Sequence, residues 1–231
     1  MSADVVAIIP ARGGSTRIPR KNARDFNGRP IISWPLEACK ALDTISHRVV
    51  STDDEELARI AGEFGATKVI DRPAELATDT AGTAPVIKHA IDELGVDDDT
   101  LVMCLYPTAT LTPHLVSEAL ELAREHPDKF VVSVGRHRSP HERSLQRLEG
   151  DLMSLASPDH LLTRTQDLPQ RYFDAGKLYV ARASVWKARE TMMEKPFVPF
   201  YLPDWAVVDI DEPDDWAVAE ALHRVFVLET S

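Results

Sequence analysis

Short apolar runs alternate with amphipathic segments along most of the chain. The runs are rich in β-branched residues, and each is short enough to be one buried strand of a parallel sheet. Between two of them, apolar residues recur at helical spacing from Leu57 to Phe64. A strand–helix–strand order of this kind predicts an α/β fold with a doubly wound, mostly parallel sheet. The strands are expected near residues 5–9, 49–50, 69–70, 101–105, 130–134 and 177–181.

Local signals predict where individual helices begin and end. Thr52 followed three residues later by Glu55 is the pattern of a capping box, and Gly65 is a typical residue just past a helix end. Thr112 before Pro113 predicts a capped helix start, because proline is tolerated at the first helical position. Other helices are expected at residues 30–42, near 83–94 and over a stretch that includes 216–226.

The length of the chain, 231 residues, suits a single α/β domain that spans residues 1–231. The alternation of strands and helices breaks at about Gly135 and resumes after about Gln170. Within this interval, Gly150-Asp151 predicts a hairpin turn between short apolar pieces. We interpret residues 136–172 as a small inserted arm rather than as a second nucleotide-binding domain.

Composition argues against several classes of function. Acidic residues outnumber basic ones by 37 to 26, and the resulting net charge of −11 disfavours a nucleic-acid surface. No apolar run approaches the roughly 20 residues needed to cross a bilayer, and the N-terminus has no signal-peptide pattern. Cys39 and Cys104 do not form a CxxC motif, so neither structural zinc nor a disulfide framework is expected. We therefore expect a cytoplasmic protein with no nucleic-acid or membrane partner.

A basic loop follows the first predicted strand. From Pro10 to Arg24 the chain contains no acidic residue, and Gly13-Gly14 lets the backbone bring its amide hydrogens close to an anion. The loop is neither a Walker A motif nor a Gly-x-Gly-x-x-Gly fingerprint. A phosphate site is the first interpretation, and an ordinary glycine turn with solvated arginines is the alternative. The basic residues are Arg12, Arg17, Arg20, Lys21 and Arg24.

Two aspartates near the C-terminus are candidate metal ligands. A single residue separates Asp209 from Asp211. In an extended segment their side chains therefore point to the same face and can converge on one hard cation. Mg²⁺ is usually held by one or two carboxylates together with substrate phosphates. Because Asp211 lies two residues before Pro213, it could instead be the N-cap of a helix. The spacing alone does not separate these two interpretations.

The basic loop resembles the signature of a known enzyme family. Residues 11–22 read Ala-Arg-Gly-Gly-Ser-Thr-Arg-Ile-Pro-Arg-Lys-Asn, which is similar to the loop of the CMP-sialic acid synthetases, cytidylyltransferases that act on nonulosonic acids. Thr16 stands where that family usually has lysine, at a position facing the phosphates. Residues 209–216, Asp-Ile-Asp-Glu-Pro-Asp-Asp-Trp, resemble the family's tail and favour the metal interpretation of Asp209 and Asp211.

The resemblance implies a site for CTP. In related synthetases an arginine at the position of Arg72 contacts the cytosine; without the resemblance, an ion pair with Glu75 is the simpler interpretation. Arg12, Lys21 and Asp211 are the implied catalytic residues, and Mg²⁺ on Asp209 and Asp211 is the implied cofactor. The nucleotide-binding residues it implies are Ala11, Arg12, Gly13, Gly14, Ser15, Arg17, Lys21, Asn22, Arg72 and Thr83.

The resemblance also implies a site for a nine-carbon sugar acid. Residues 163–179 look like the sugar-binding segment of the family, and an arginine is an apt partner for the sugar carboxylate, with Arg164 preferred over Arg143. The run 174–176, Asp-Ala-Gly, resembles the pseudaminic acid branch, and Tyr106 agrees because the neuraminic branch normally has glutamine there. The implied sugar-binding residues are Tyr106, Arg143, Arg164, Gln166, Asp174 and Tyr179.

The activity implied is transfer of CMP from CTP to the anomeric hydroxyl of a nonulosonic acid, with release of pyrophosphate. Pseudaminic acid is the expected sugar, and N-acetylneuraminic and legionaminic acids are the alternatives. The arm resembles the segment through which these synthetases dimerise, so a homodimer is expected. An alternative of another class is a nucleotide-sugar binding protein without turnover, for which Thr16 is the one hint.

Overall fold

The computed structural model describes residues 5–229. Within this range the strands are β1 (Val5–Pro10), β2 (Asp25–Phe26), β3 (Arg29–Pro30), β4 (Ile45–Thr52), β5 (Lys68–Asp71), β6 (Leu101–Leu105), β7 (Val131–Arg136), β8 (Leu145–Arg147), β9 (Met153–Leu155), β10 (Tyr172–Arg182) and β11 (Val198–Tyr201). The α-helices are α1 (Ser33–Lys40), α2 (Glu55–Glu63), α3 (Thr83–Leu94), α4 (Pro113–Glu125), α5 (Ala183–Ala188) and α6 (Pro213–His223). None of the helices in this range has the length and apolar character needed to span a membrane.

Seven of the strands form one twisted sheet in the order β11-β7-β10-β6-β1-β4-β5. The pairs β1–β4, β1–β6, β4–β5 and β7–β11 are parallel, and β10 runs antiparallel to both β6 and β7. The prediction of a doubly wound, mostly parallel sheet is therefore confirmed, with one antiparallel strand that the sequence pattern did not reveal.

The sheet has a topological switch point beside β1. The chain passes from β1 to β4 and β5 on one side of the sheet and then returns to β6 on the other side of β1. Loops that leave the carboxyl ends of β1 and β6 therefore diverge, and they leave a crevice between them. Ligands of open α/β sheets bind in such crevices.

Two apolar clusters pack on opposite faces of the sheet, and β1 contributes to both. Val5, Ala7 and Ile9 belong to one cluster, while Val6 and Ile8 belong to the other. All five side chains are at most 1% exposed. A strand covered by helices on both faces needs a continuous apolar run, which explains the sequence of β1. The base of the basic loop is thus anchored in the centre of the core.

The predicted helix ends are correct at α3 and α4 and wrong at the start of α2. α3 has the expected bounds, and Thr112 Oγ1 caps α4 by accepting the backbone N–H of Leu115 at 3.3 Å. Residue Thr52 does not cap α2, because it is still paired with Asp71 in the β4–β5 ladder. Asp54 caps that helix instead, and its carboxylate accepts the N–H of Leu57 at 2.9 Å.

Helix α1 is shorter than the predicted stretch of residues 30–42. Pro30 pairs with Asp25 in the small β2–β3 hairpin, so the helix begins only at Ser33. The hairpin turns at Asn27 and Gly28, which both have positive φ. Since Phe26 of β2 is fully buried beside Ile18 and Ile210, this hairpin ties the basic loop to the C-terminal segment.

The predicted arm lies between β7 and β10. It contains the β8–β9 hairpin, which turns at Gly150 with φ of 65°, and several single 3₁₀ turns. Its apolar side chains are unusually exposed: Leu162 is 93% and Leu152 67% accessible. Other exposed apolar side chains in this region are Leu145, Leu148, Met153 and Leu161. That residues 136–172 act as a separate dimerisation element stays a prediction.

Candidate active site

A cavity of about 440 Å³ opens at the carboxyl ends of β1, β5 and β6. Its walls come from the basic loop, the stretch that leads into α3, the loop after β6, the bend of β10 and the segment before α6. The lining residues that carry its chemistry are Arg12, Arg17, Lys21, Arg72, Tyr106, Lys177, Tyr179, Asp209 and Asp211. The cavity thus lies at the switch point of the sheet, where an open α/β fold places its ligand.

Three cations of the basic loop face this cavity, and each is held by a partner from a distant part of the chain. Arg12 donates to the carboxylate of Asp79, and Lys21 Nζ donates to the backbone carbonyl of Ile210. Arg17 donates to Asp211 Oδ1 at 2.8 Å. Burial lowers the pKa of Lys21, and the nearby aspartates oppose that shift. The loop is therefore already folded around negative groups.

The glycine pair of the loop has one position that requires glycine. A Cβ built on Gly13 would lie 2.6 Å from Oδ2 of Asp54, a distance that real Cβ atoms do not reach. The backbone N–H of Gly13 donates to Asp53 Oδ1 at 3.0 Å, so the turn is tied to the end of β4. A side chain on Gly14 would meet open space. Ala11 is buried and, like both glycines, lies outside the cavity lining, whereas Ser15 is part of it.

Arg72 lines the cavity as a buried guanidinium fixed to β4. It is 6% exposed, and it donates to Ser51 through Nε to the hydroxyl at 3.2 Å and through Nη2 to the carbonyl at 2.6 Å. Burial lowers the pKa of Arg72, and Asp53 partly restores it. These donors point to Ser51. Among the described residues, Arg72 therefore does not form the alternative ion pair with Glu75.

Asn22 and Thr83, the remaining polar residues implied for the nucleotide, also line the cavity. The Asn22 side-chain amide donates to the carbonyl of Arg12 at 3.0 Å, which holds the two ends of the basic loop together. Thr83, the first residue of α3, forms a short hydrogen bond with the hydroxyl of Tyr106. This contact joins the loop after β6 to the start of α3.

Asp209 and Asp211 both line the cavity, in a segment that contacts the basic loop through Arg17 and Lys21. The residue between them, Ile210, is 4% exposed and packs into the cluster beneath the loop. Glu212 is the N-cap of α6, and the N–H of Asp211 donates to the Asp215 carboxylate at 3.0 Å. The N-cap interpretation of Asp211 is therefore wrong, and its carboxylate is directed to Arg17 instead.

The donor set of the two aspartates fits a hard divalent cation. Both side chains offer carboxylate oxygens to one cavity, and Mg²⁺ needs only one or two such ligands when phosphates supply others. Among residues 5–229 no group of three or more metal-ligating side chains occurs. A cation at Asp209 and Asp211 therefore requires further ligands from a bound substrate or from water.

Two of the residues implied for the sugar, Tyr106 and Tyr179, line the same cavity as the two aspartates. The rings of Tyr106 and Tyr179 meet edge to face, 6.2 Å apart at an angle of 75°. Burial raises the pKa of both phenols, so they are neutral hydrogen-bonding groups. Tyr179 donates its hydroxyl proton to Asp174, whose carboxylate oxygens are 2.8 and 2.9 Å away. Asp174 itself lies outside the cavity lining and orients Tyr179.

The other residues implied for the sugar lie in the arm, outside the cavity of this chain. Arg143 donates to the carbonyls of Leu161 and Thr163, and Arg164 pairs with Asp167 at 2.8 Å. Gln166 is exposed. The structure therefore does not bring these three predicted sugar-binding residues to the same place as Tyr106 and Tyr179.

Sequence analysis missed two charged residues of the cavity: Asp79, which pairs with Arg12, and the buried Lys177. The Lys177 side chain is 4% exposed, and Nζ donates to the carbonyl of Val208 at 2.6 Å. Burial lowers the pKa of Lys177, which Asp209 opposes and Lys21 reinforces. The available signal was a lysine directly before the apolar run 178–181 at the start of a predicted strand. Such a position is rarely occupied by a charge without a partner.

An open α/β sheet with a basic loop at its switch point defines a class of proteins that bind phosphate-bearing ligands. Residues 6–202 match the family model described as cytidylyltransferase, and this covers most of the chain. The chain belongs to the cytidylyltransferase family and is a nucleotidyltransferase enzyme. Enzymes of this family are typically metal-dependent. Asp209 and Asp211 lie just beyond the matched residues.

Curated relatives match along nearly the full chain. A pseudaminic acid cytidylyltransferase of Campylobacter jejuni is 33% identical over 223 residues, which is 95% of this chain and 96% of that protein. A CMP-N,N'-diacetyllegionaminic acid synthase of Legionella pneumophila is 32% identical over 231 residues, 96% of this chain and 97% of that protein. Because the two identities are nearly equal while the named sugars differ, overall similarity does not select the sugar.

A solved structure supports the fold assignment. The structure of a CMP:2-keto-3-deoxy-manno-octonic acid synthetase complexed with CTP aligns with a TM-score of 0.68, and it covers 98% of this chain and 100% of its own. Sequence identity between the two is 19%, so this likeness concerns the fold. The α/β architecture is thus shared with this synthetase of known structure.

Proposed function

We propose that this cytidylyltransferase transfers CMP from CTP to the anomeric hydroxyl of a nonulosonic acid, and that the sugar is pseudaminic acid. The observation that carries the proposal is that Arg12 and Lys21 of the basic loop line the same cavity as Asp209 and Asp211. Such a site can hold an anionic triphosphate and a divalent cation together. The C. jejuni relative named for pseudaminic acid supports the choice of sugar.

The proposed reaction is an in-line displacement at the α-phosphorus of CTP. A bond forms between the anomeric oxygen and the α-phosphorus, the bond from this phosphorus to the bridging oxygen breaks, and pyrophosphate leaves. The hydroxyl proton passes to solvent. Arg12, Lys21 and Arg17 neutralise charge on the leaving pyrophosphate, which is the main contribution expected from a protein at a phosphorus centre.

Asp209 and Asp211 would hold Mg²⁺ in this proposal, and the bound cation would neutralise phosphate charge and lower the pKa of the attacking hydroxyl. Asp211 pairs with Arg17 at 2.8 Å, and Oδ1 of Asp209 lies 3.7 Å from Nζ of Lys177. Thr16, which replaces the family's usual lysine, lines the same cavity next to Arg17. We propose that Arg17 provides the charge that Thr16 does not.

Arg72 is proposed to read the cytosine. Its guanidinium is planar, permanently charged and fixed by two hydrogen bonds to Ser51, so its orientation is set before the base arrives. A donor group of this kind matches the O2 and N3 acceptors of cytosine and opposes the N3–H of uracil. The enzyme should therefore prefer CTP over UTP.

The sugar is proposed to lie between Tyr106 and Tyr179 on one side and the aspartate segment on the other. Asp174 followed by alanine and glycine, and Tyr106 in place of glutamine, favour pseudaminic acid. N-acetylneuraminic and legionaminic acids are the alternative sugars, and the Legionella relative named for the latter is nearly as similar.

We further propose a homodimer in which the arm of one copy reaches the cavity of the other. Arg143, Arg164 and Gln166, which the sugar site would use, lie outside the cavity of their own chain. The exposed leucines of the arm, with Leu162 at 93% and Leu152 at 67%, are typical of a surface that is covered by a partner. Sedimentation should therefore give a dimer, and Leu162→Glu should give monomers with weaker sugar binding.

A substrate panel tests the proposal. Pyrophosphate release is measured with CTP or UTP and with each of pseudaminic, N-acetylneuraminic and legionaminic acids. We expect CTP with pseudaminic acid to give the highest kcat/KM. Faster turnover with another nonulosonic acid would correct the sugar. CTP binding without product from any of the three sugars would instead indicate a nucleotide-sugar binding protein.

A further inference from the structure

Lys177 lies where β10 bends into the cavity, and its backbone is fixed by the neighbouring strand. The register between β10 and β7 shifts between Asp174 and Tyr179. Gly176 has φ of 59°, a left-handed conformation that glycine adopts without strain. The N–H of Lys177 donates to the buried hydroxyl of Ser133 at 3.2 Å. The start of the Lys177 side chain is therefore held in place independently of its charged end.

The charged end of Lys177 contacts the segment that carries the two aspartates. Nζ donates to the carbonyl of Val208 at 2.6 Å and lies 3.7 Å from Oδ1 of Asp209. The side chain is only 4% exposed, and a cation so far removed from water is stable only when hydrogen-bonded and paired. The conformation of residues 208–209 and the burial of Lys177 thus depend on each other.

A second lysine holds the same segment two residues further on. Lys21 Nζ donates to the carbonyl of Ile210, as Lys177 does to that of Val208. In an extended chain, carbonyls two residues apart point to the same side. Two ammonium groups, one from the basic loop and one from β10, therefore fix one edge of the segment. Asp209 is the residue between the two anchored carbonyls, and its Oδ1 accepts the backbone N–H of Ile210 at 2.9 Å.

We propose that Lys177 is a positioning residue that orients Asp209 toward the cavity and so supports binding of a divalent cation with CTP. The inference rests on the proposed function, in which Asp209 is a ligand of that cation. Lys177 touches no substrate in this proposal and acts through the Val208 carbonyl and the Asp209 carboxylate. Partners that orient metal ligands in this way typically contribute about ten- to a hundredfold to metal affinity.

Binding of Mn²⁺, used as a paramagnetic substitute for Mg²⁺, tests the role of Lys177 in the full-length protein without any sugar and hence without turnover. The free ion is measured by electron paramagnetic resonance at saturating CTP. Lys177→Met keeps the length of the side chain and removes both its charge and its hydrogen bond. We expect Mn²⁺ affinity to fall at least about tenfold, while CTP affinity measured without metal changes less.

Two further variants control the experiment. Lys187→Met removes another lysine that pairs with an aspartate, Asp98 at 2.8 Å, outside the cavity lining, and Mn²⁺ affinity should stay at the wild-type value. Lys177→Gln restores an N–H donor for the Val208 carbonyl without the charge, and an intermediate loss is expected. If Lys177→Met does not fold, Lys177→Gln takes its place in the comparison with Lys187→Met.

The outcomes separate this inference from the proposed function. Weaker Mn²⁺ binding in a folded Lys177 variant than in Lys187→Met supports the positioning role. Equal Mn²⁺ binding in the two overturns it, even if wild-type enzyme makes the CMP-sugar. If wild-type protein with CTP does not bind Mn²⁺, the assignment of a cation to Asp209 and Asp211 is wrong. The positioning role of Lys177 is then wrong as well.

Discussion

The ion pair between Arg12 and Asp79 predicts that removing one carboxylate will strengthen CTP binding. Arg12 is a proposed triphosphate ligand, and in this structure its guanidinium donates to Asp79, in the stretch between β5 and α3. CTP and Asp79 therefore compete for the same positive group. Asp79→Asn keeps the shape of the side chain and removes the charge that competes.

The exposure of the pair limits the size of the effect. The Arg12 and Asp79 side chains are 31% and 67% accessible, so water screens their attraction. Solvent-exposed pairs of this kind contribute about 0.2–1 kcal/mol. Because a difference of 1.4 kcal/mol is tenfold in affinity, the dissociation constant for CTP should fall by a factor of about 1.5–5. Thermal stability should change little.

Calorimetric titration of CTP without sugar measures this effect directly. Asp71→Asn is the matched control, because it removes the same charge from an exposed position at the end of β5, just before this stretch. The gain in affinity should be larger for Asp79→Asn than for this control. If Asp79→Asn instead weakens CTP binding, Asp79 supports the nucleotide site, and the view that it competes with the triphosphate is wrong.

Four further variants test other parts of the structure. Asp211→Asn should lower kcat by about a hundredfold or more at ordinary Mg²⁺, and retained turnover would remove Asp211 from the metal site. Gly13→Ala places a Cβ 2.6 Å from Oδ2 of Asp54, so it should weaken CTP binding in titrations, whereas Gly14→Ala should not. Burial lowers the pKa of His223 from 6.5 to about 4, so the contribution of His223 to the unfolding free energy should be constant above pH 6.5 and fall by up to about 1.4 kcal/mol per pH unit toward pH 4. His223→Phe should flatten this part of the stability profile in denaturant titrations.

Much of the fold was predictable because its signals are local. The apolar run of β1 and the bounds of α3 depend on residues that are neighbours in sequence. The prediction was wrong at Thr52. The local pattern predicts a helix cap there, but Thr52 pairs with Asp71 in the β4–β5 ladder. The prediction also left the direction of β10 open, because an apolar run has the same appearance in parallel and antiparallel strands.

The contacts that shape the site could not be predicted in the same way. Arg17 and Asp211 are 194 positions apart, and Arg12 and Asp79 are 67 apart. The sequence indicated which groups follow strands, and thus which edge of the sheet they share. It did not indicate which acidic residue pairs with which basic residue, because that depends on how the segment before α6 crosses the basic loop.

The ion pair between Arg17 and Asp211 implies that CTP and a divalent cation bind cooperatively. Asp211 is held by Arg17, so a cation alone must compete with this guanidinium for the carboxylate. A triphosphate that engages Arg17 releases Asp211 and adds phosphate oxygens, which makes the cation site more favourable. Coupling between two ligands is reciprocal, so Mn²⁺ should raise CTP affinity by the same factor by which CTP raises Mn²⁺ affinity.

Coupling through Arg17 can be separated from direct contact between the two ligands. Arg17→Met frees Asp211 in the absence of nucleotide, so Mn²⁺ affinity without CTP should rise above that of the wild type. Affinity for CTP without metal should fall, because a proposed phosphate ligand is lost. If Arg17→Met leaves Mn²⁺ affinity unchanged, the pair with Asp211 does not limit cation binding, and any coupling comes from the phosphates alone.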